Sequence, residues 1–266
     1  MNSGRGVLTS ILEKIALNKR LEVEELKTEK PLAVVKEQCR NAPRGLFADA
    51  IRDRSRVNII AEIKKGSPSK GIMQADFHPA SLARQYRDGG AAALSVLTER
   101  KYFYGRAEHM ALARRESGLP VLCKDFVVDP YQLYYARAMQ ADAILLIVRL
   151  HSADSLRRHL SLAEEIGLDC LVEVYDEKEL EMALSAEARI VGVNNRNLED
   201  FTVTLETSER LSKLIPDDII RVAESGVFTK KDISRLKTAG FSNFLVGEAL
   251  MKAADPAELI RELRSG

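Results

Sequence analysis

The run VNIIAEIKK (57–65) places Glu62 and Lys64 two residues apart, so in an extended strand both share the face of Ile60. Four more polar residues stand at the ends of apolar runs. Lys124 closes LPVLCK, Glu173 interrupts CLVEV, Asn194 closes RIVGVN and Glu224 closes IIRVAE. A buried carboxylate or ammonium without a partner is costly, so such groups are paired with one another or retained for chemistry. Glu62 with Lys64 and Glu173 with Lys124 are the natural pairs. Gathered around one site, they offer acids and bases for proton transfer. Burial and a neighbouring cation lower a lysine toward a working acid, and burial raises a glutamate toward a working base. The four histidines stay outside this set. His78 and His109 fall in loop or helix segments and His151 and His159 follow the fourth apolar run, so each is expected to be a surface or capping residue. No HExxH or Cys/His cluster is present, so no metal is expected.

These residues need a frame that brings strand ends together. From Val57 onward, eight short apolar runs alternate with amphipathic segments: 57–63, 91–97, 119–124, 142–148, 170–174, 189–194, 219–224 and 243–247. Helix-entry signals stand between them. Asp129-Pro130 and Asp255-Pro256 put a capping residue before an N1 proline, while Asp176 with Glu179 and Thr229 with Asp232 have capping-box spacing. Near-continuous apolar strands alternating with helices predict a parallel sheet covered by helices, and eight such units predict an α/β fold, the (β/α)8 TIM barrel. An open doubly wound sheet lacks its GxGxxG loop here. Gly66 to Gly71 has the glycine spacing of a P-loop, but Ile72-Met73 replaces the required Lys-Ser/Thr.

Barrel sites assemble at the C-terminal ends of the strands, with phosphate often held after strands seven and eight. Gly226 and Gly247 at those two ends, together with Ser67 after strand one, sketch such a phosphate pocket. Residues 1–47 stand outside the repeat as an N-terminal helical extension, and 48–266 form the barrel. Leu8, Ile11, Leu12 and Ile15 make a helical stripe, with breaks at Pro31 and Pro43. The stripe either packs on one barrel end or covers the site.

Composition narrows the class. In 266 residues, 40 Lys plus Arg balance 39 Asp plus Glu, which disfavours a nucleic-acid partner. No apolar run approaches a membrane span, and the N-terminus lacks a signal-peptide pattern. Cys39, Cys123 and Cys170 are well separated and read as apolar fillers in a reducing cytoplasm.

Eight blocks then resemble one family in register: AEIKKGSPSKG (61–71), VLTERKYFYG (96–105), CKDFVVDPYQ (123–132), LLIV (145–148), LVEV (171–174), GVNNRNL (192–198), VAESGV (222–227) and FLVGEALM (244–251). The chain is similar to indole-3-glycerol-phosphate synthases of tryptophan biosynthesis. That resemblance implies a cofactor-free lyase converting 1-(2-carboxyphenylamino)-1-deoxyribulose 5-phosphate to indole-3-glycerol phosphate, carbon dioxide and water. It implies Lys124 as general acid, Lys64 as holder of the substrate carboxylate, and Glu173 and Glu62 as stabilising acids and base. Asn194 and Ser225 match supporting positions, and Arg196 and Glu224 line the mouth. Ser67, Gly226, Gly247 and the amide of Glu248 would cradle the phosphate. Phe103 and Phe126 would wall the aromatic ring, with Leu145 and Leu245 also on the substrate.

A small phosphorylated substrate is the expected partner, with neither nucleic acid nor membrane, and a monomer or weak homodimer is expected. Gly66 departs from the family pattern, where a bulkier residue is expected, and should loosen the loop after strand one. Two other readings stay open: a Schiff-base aldolase using Lys124 or Lys64, and a barrel that binds a phosphorylated metabolite without catalysis.

Overall fold

Each apolar run forms a strand, and all pair in parallel. They are β1 (Asn58–Ile63), β2 (Ala93–Leu97), β3 (Val121–Lys124), β4 (Ala143–Ile147), β5 (Asp169–Val174), β6 (Ile190–Asn194), β7 (Ile220–Glu224) and β8 (Asn243–Val246). Each strand pairs with the next, and β8 pairs back onto β1, so the sheet closes into a barrel. The computed structural model describes residues 10–40, 42, 45–68, 70–74, 76–198 and 200–266. Leu8 and Pro43 lie outside the described residues. Among the described residues, no helix is long and apolar enough to cross a membrane.

Helices α1 (Ile11–Glu29), α2 (Leu32–Arg40) and α3 (Phe47–Ile51) precede the barrel. Helices α4 (Pro79–Gly89), α5 (Ala107–Ser117), α6 (Tyr131–Ala138), α7 (Ala153–Glu165), α8 (Glu177–Ser185), α9 (Glu206–Leu211) and α10 (Lys230–Thr238) each follow a strand. The chain ends in α11 (Glu248–Lys252) and α12 (Pro256–Arg264). Asp255 caps α12 by accepting from the Glu258 N–H, and Thr229 with Asp232 closes a reciprocal box on α10. Two entries differ in detail from expectation. Asp176 caps α8, but Glu179 turns away to accept from the Tyr175 N–H and from Arg149. At α6 the cap position is Pro130, and Asp129 instead accepts from the Tyr131 N–H.

Strand alternation divides the core. Ile59, Ala61 and Ile63 face the helix layer, whereas Ile60 joins Leu122, Leu145, Leu171, Val222 and Leu245 inside the barrel. Both ends of that interior are stoppered. Phe47 and Ile51 of α3 close one end, where the Ala48 N–H donates to Asp169 Oδ2 (2.8 Å). Leu12 and Ile15 of α1, together with Phe126, cover the end that carries Lys124. The stripe at 11, 12 and 15 therefore lies over the end of the barrel that carries Lys124.

His159 corrects one expectation. It is buried, and its ring lies 4.8 Å from that of His151, because Ser155 one turn along α7 contacts both. Burial, with His159 and Arg20 adding repulsion, pushes the His151 pKa down to about 4 from its ordinary 6.5. The folded state therefore resists a proton that the unfolded chain binds. This contribution to stability is fully present above pH 6.5 and is lost as pH falls toward 4. His151→Gln is expected to flatten the decline of the urea midpoint across that window, and parallel slopes for variant and parent would refute it.

Candidate active site

Parallel strands in a closed barrel aim their C-terminal ends at one mouth, and the inward alternation set by Ile60 carries Glu62 and Lys64 there. All of the residues singled out for catalysis or substrate contact line a single pocket at that mouth. Lys64 Nζ lies 2.6 Å from Glu62 Oε1. Lys124 Nζ lies 2.6 Å from Glu224 Oε2 and 3.5 Å from Glu173 Oε2. Both expected ion pairs are present, and Glu224 takes the shorter contact with Lys124. The Asn194 amide donates to Glu173 Oε1 (3.1 Å), while its own carbonyl accepts from the Arg196 N–H (3.0 Å). The three carboxylates are almost completely buried. Gly247 leaves the space that the Glu62 carboxylate occupies.

The charge count at the mouth reverses one expectation. Burial disfavours the Lys124 ammonium, but Glu224, Glu173 and Glu62 together outweigh it and raise the pKa above the ordinary lysine value. Lys124 is thus held protonated rather than tuned down, because three carboxylates surround it. Burial pushes Glu224 up to about 8, with Lys124 pulling it back and Glu173 and Glu62 opposing ionisation. Glu62 moves the other way, since Lys64 and Lys124 overcome the effect of its burial.

Across the pocket lies a cationic rim. Glu248 pairs with Lys70, with Lys252 (2.7 Å) and more loosely with Arg196 (3.7 Å). Next to it, Ser225 adopts a left-handed φ of 62°, uncommon for a residue with a side chain, and leads into Gly226. Ser67, Gly226 and Gly247 line this side. Phe103 and Phe126 form one wall with ring centroids 5.8 Å apart. Apolar walls, paired acids and bases and a rim of cations suit an aromatic substrate that also carries anionic groups.

The family model described as Indole-3-glycerol phosphate synthase matches residues 12–263, spanning every barrel strand. The chain belongs to that family. It is accordingly a decarboxylating lyase of tryptophan biosynthesis acting on a phosphorylated small molecule. The indole-3-glycerol phosphate synthase of Dehalococcoides mccartyi strain CBDB1 is 46% identical, with 95% of this chain and 99% of that one covered. Its counterpart in Acinetobacter baylyi strain ADP1 is 46% identical over 97% and 96%. That of Ruminiclostridium cellulolyticum is 42% identical over 96% and 98%. Among solved structures, a thiamine phosphate pyrophosphorylase from Pyrococcus furiosus superimposes with a TM-score of 0.59 at 19% identity, over 80% of this chain and 96% of that one. An N-acetylmannosamine-6-phosphate 2-epimerase from Clostridium perfringens gives 0.59 at 13%, over 76% and 90%. At such identities the likeness is one of fold.

Sequence reasoning on this synthase-family chain reaches the α1 stripe but not Lys70 or Glu99. Ile11, Leu12 and Ile15 contribute wall from α1, and Lys70 joins the cationic rim. Glu99 is fully buried behind the wall, where its carboxylate accepts from the N–H groups of Lys101, Tyr102 and Phe103 and so sets the loop that presents Phe103. Its place just beyond the second apolar run was the available signal.

Gly66 requires a correction. It does not loosen its loop. It starts a small antiparallel hairpin, Gly66–Ser67 with Gly71–Ile72, and the Tyr104 ring packs against it. A Cβ at position 66 would stand 2.5 Å from the Gly71 carbonyl oxygen and 2.8 Å from Tyr104 Cδ2. Gly66→Ala is therefore expected to cost about 1–3 kcal/mol in urea unfolding, the usual range for overpacking, and to raise KM by displacing Ser67. Unchanged stability and KM would show that the loop absorbs the methyl group.

Proposed function

We propose that this pocket closes the indole ring of 1-(2-carboxyphenylamino)-1-deoxyribulose 5-phosphate, using Lys124 as the general acid. The observation carrying this reading is the Lys124 ammonium fixed by Glu224 and Glu173 in a pocket that Phe103 and Phe126 also line. As the ring carbon bearing the carboxylate attacks the ketone, a carbon–carbon bond forms and negative charge grows on the carbonyl oxygen. Lys124 delivers its proton there. Its raised pKa suits transfer to an oxygen that is becoming alkoxide-like, and argues against a Schiff-base nucleophile, which must be free of its proton to attack.

The closed ring carries positive charge, which Glu173 and Glu62 stabilise. Loss of carbon dioxide returns the electron pair of the carbon–carbon bond to the ring. Lys64 supplies a proton to the new hydroxyl, which departs as water, and a carboxylate takes the proton from the adjacent ring carbon, leaving the aromatic indole. Lys64 holds the substrate carboxylate and assists the later proton transfer. Asn194 orients Glu173, and Ser225 supports the same rim. Ser67, Gly226, Gly247 and the Glu248 amide cradle the phosphate beside Arg196, a remote anchor that positions the reacting carbons. Leu145 and Leu245 complete the apolar floor.

In the same reading, residues 1–47 form an extension and 48–266 the catalytic barrel. A monomer or weak homodimer belongs to the same reading. Three unpaired thiols suit a cytoplasmic setting.

Indole fluorescence from the carboxyphenylamino substrate, followed in metal-free buffer, tests the activity directly. Lys124→Ala is expected to lower kcat by about 10²–10⁴-fold, the usual share of a general acid, with KM nearly unchanged because the phosphate anchor survives. Near-normal turnover would remove Lys124 from this role. Borohydride added with substrate should trap no adduct, and a trapped lysine would favour the aldolase reading.

A further inference from the structure

The buried face of α1 runs Leu12, Ile15, Lys19, Val23 and Leu26, an apolar stripe broken once by a lysine. Lys19 is only 2% exposed. An apolar residue would fill that place without the cost of desolvating an ammonium, so the charge needs a reason beyond packing. Its Nζ lies 2.8 Å from Asp125 Oδ1 and 2.8 Å from Glu22 Oε2. Glu22 belongs to α1 itself and also meets Arg100 (3.3 Å). Asp125 belongs to the barrel, directly between Lys124 and Phe126.

Asp125 has both oxygens engaged. Oδ1 also accepts from the Phe126 N–H (2.8 Å), and Oδ2 accepts from the Thr98 hydroxyl (2.7 Å). The Thr98 N–H in turn donates to the Lys124 carbonyl (3.1 Å). One carboxylate therefore joins α1, the end of β2 and the end of β3. Leu12 and Ile15, two turns and one turn before Lys19, line the same pocket as Lys124. The ion pair stands where the covering helix crosses the strand end that carries the acid.

We propose that Lys19 is a positioning residue for the reaction: through Asp125 it fastens the covering helix to the strand end bearing Lys124 and Phe126. The inference rests on the general-acid reading of Lys124 and extends it to the wall that orders the substrate over that group. A buried pair of this kind fixes one register of the helix on the barrel, where apolar contacts alone tolerate sliding.

Kinetics on folded variants, with circular dichroism confirming the fold at assay temperature, test this. Lys19→Met is expected to raise KM about tenfold and lower kcat by a smaller factor, as for lost positioning. Lys19→Arg should recover most of both. In an Asp125→Asn background the effect of Lys19→Met should shrink below about threefold, since the group it acts through is gone. If Lys19→Met alone fails to fold, Asp125→Asn compared with the double variant carries the same test, because equal constants support the coupling and a further loss overturns it. Folded Lys19→Met with KM and kcat within about twofold of the parent would overturn it too, leaving only a packing role. Lys124→Ala, assayed alongside, addresses the general-acid reading separately. If that variant stays active, the acid assignment falls, while the Lys19 constants still report whether the helix is held through Asp125.

Discussion

A buried ammonium surrounded by carboxylates is the interaction on which the catalytic end of this barrel depends. Lys124 reaches Glu224 at 2.6 Å and Glu173 at 3.5 Å, with Glu62 adding its field from across the mouth. Neither charge type tolerates burial alone. Lys124 needs its carboxylates to stay charged when buried, and they need it and Lys64 to avoid mutual repulsion. Burial, with Glu173 and Glu62 adding repulsion, drives one carboxylate, Glu224, up to about 8 against the pull of Lys124. A proton donor and groups able to take a proton thus stand within one cluster, with the positions of all of them set by strand ends.

The rest of the molecule holds that cluster at fixed geometry. Eight parallel strands leave no free edge, so no strand end can slip without breaking its ladders on both sides. Phe47 and Ile51 close the far end of the interior, and hydrogen bonds to Asp169 and Asp142 hold the segment that carries them. At the near end α1 supplies apolar wall and a buried lysine. Glu99 organises the loop bearing Phe103 by gathering three backbone N–H groups, a task for a carboxylate acting as scaffold. Acidic residues therefore serve two purposes around the pocket. Some face the substrate side of the mouth, and others pin the loops that shape it.

Gly66 marks an error of reading from composition, and Lys19 a residue that composition passes over. A glycine between Lys65 and Ser67 suggests slack, yet the space it leaves is filled by the Tyr104 ring and the Gly71 carbonyl. A lysine on a helix suggests solvent, yet Lys19 lies beneath α1 against Asp125. In both cases a partner distant in the chain, Tyr104 or Asp125, shares in the outcome, and neither neighbouring residues nor periodicity signal it. His159 differs from them, being buried on the α7 face that it shares with Leu156 and Ala163, where helical spacing marks it.

What the amino-acid order determined by itself was local and periodic. Apolar runs became strands, the alternation of Ile60, Glu62 and Lys64 put all three on the barrel's inner face, and polar residues closing those runs met at one mouth. Caps at Asp255 and Thr229 were legible because they act within one turn. The pairs Glu62–Lys64 and Glu173–Lys124 were legible too, but tertiary structure alone added Glu224 to Lys124 and decided how the charges are tuned. Lys124 and Glu224 are 100 residues apart in the chain, yet share a contact of 2.6 Å. Electrostatic energy depends on distance in space and on how many charges surround a group, and a chain read in order supplies neither. That is why the lysine expected to be lowered is raised, and why the helix over the site proves to be bound to it by a buried charge.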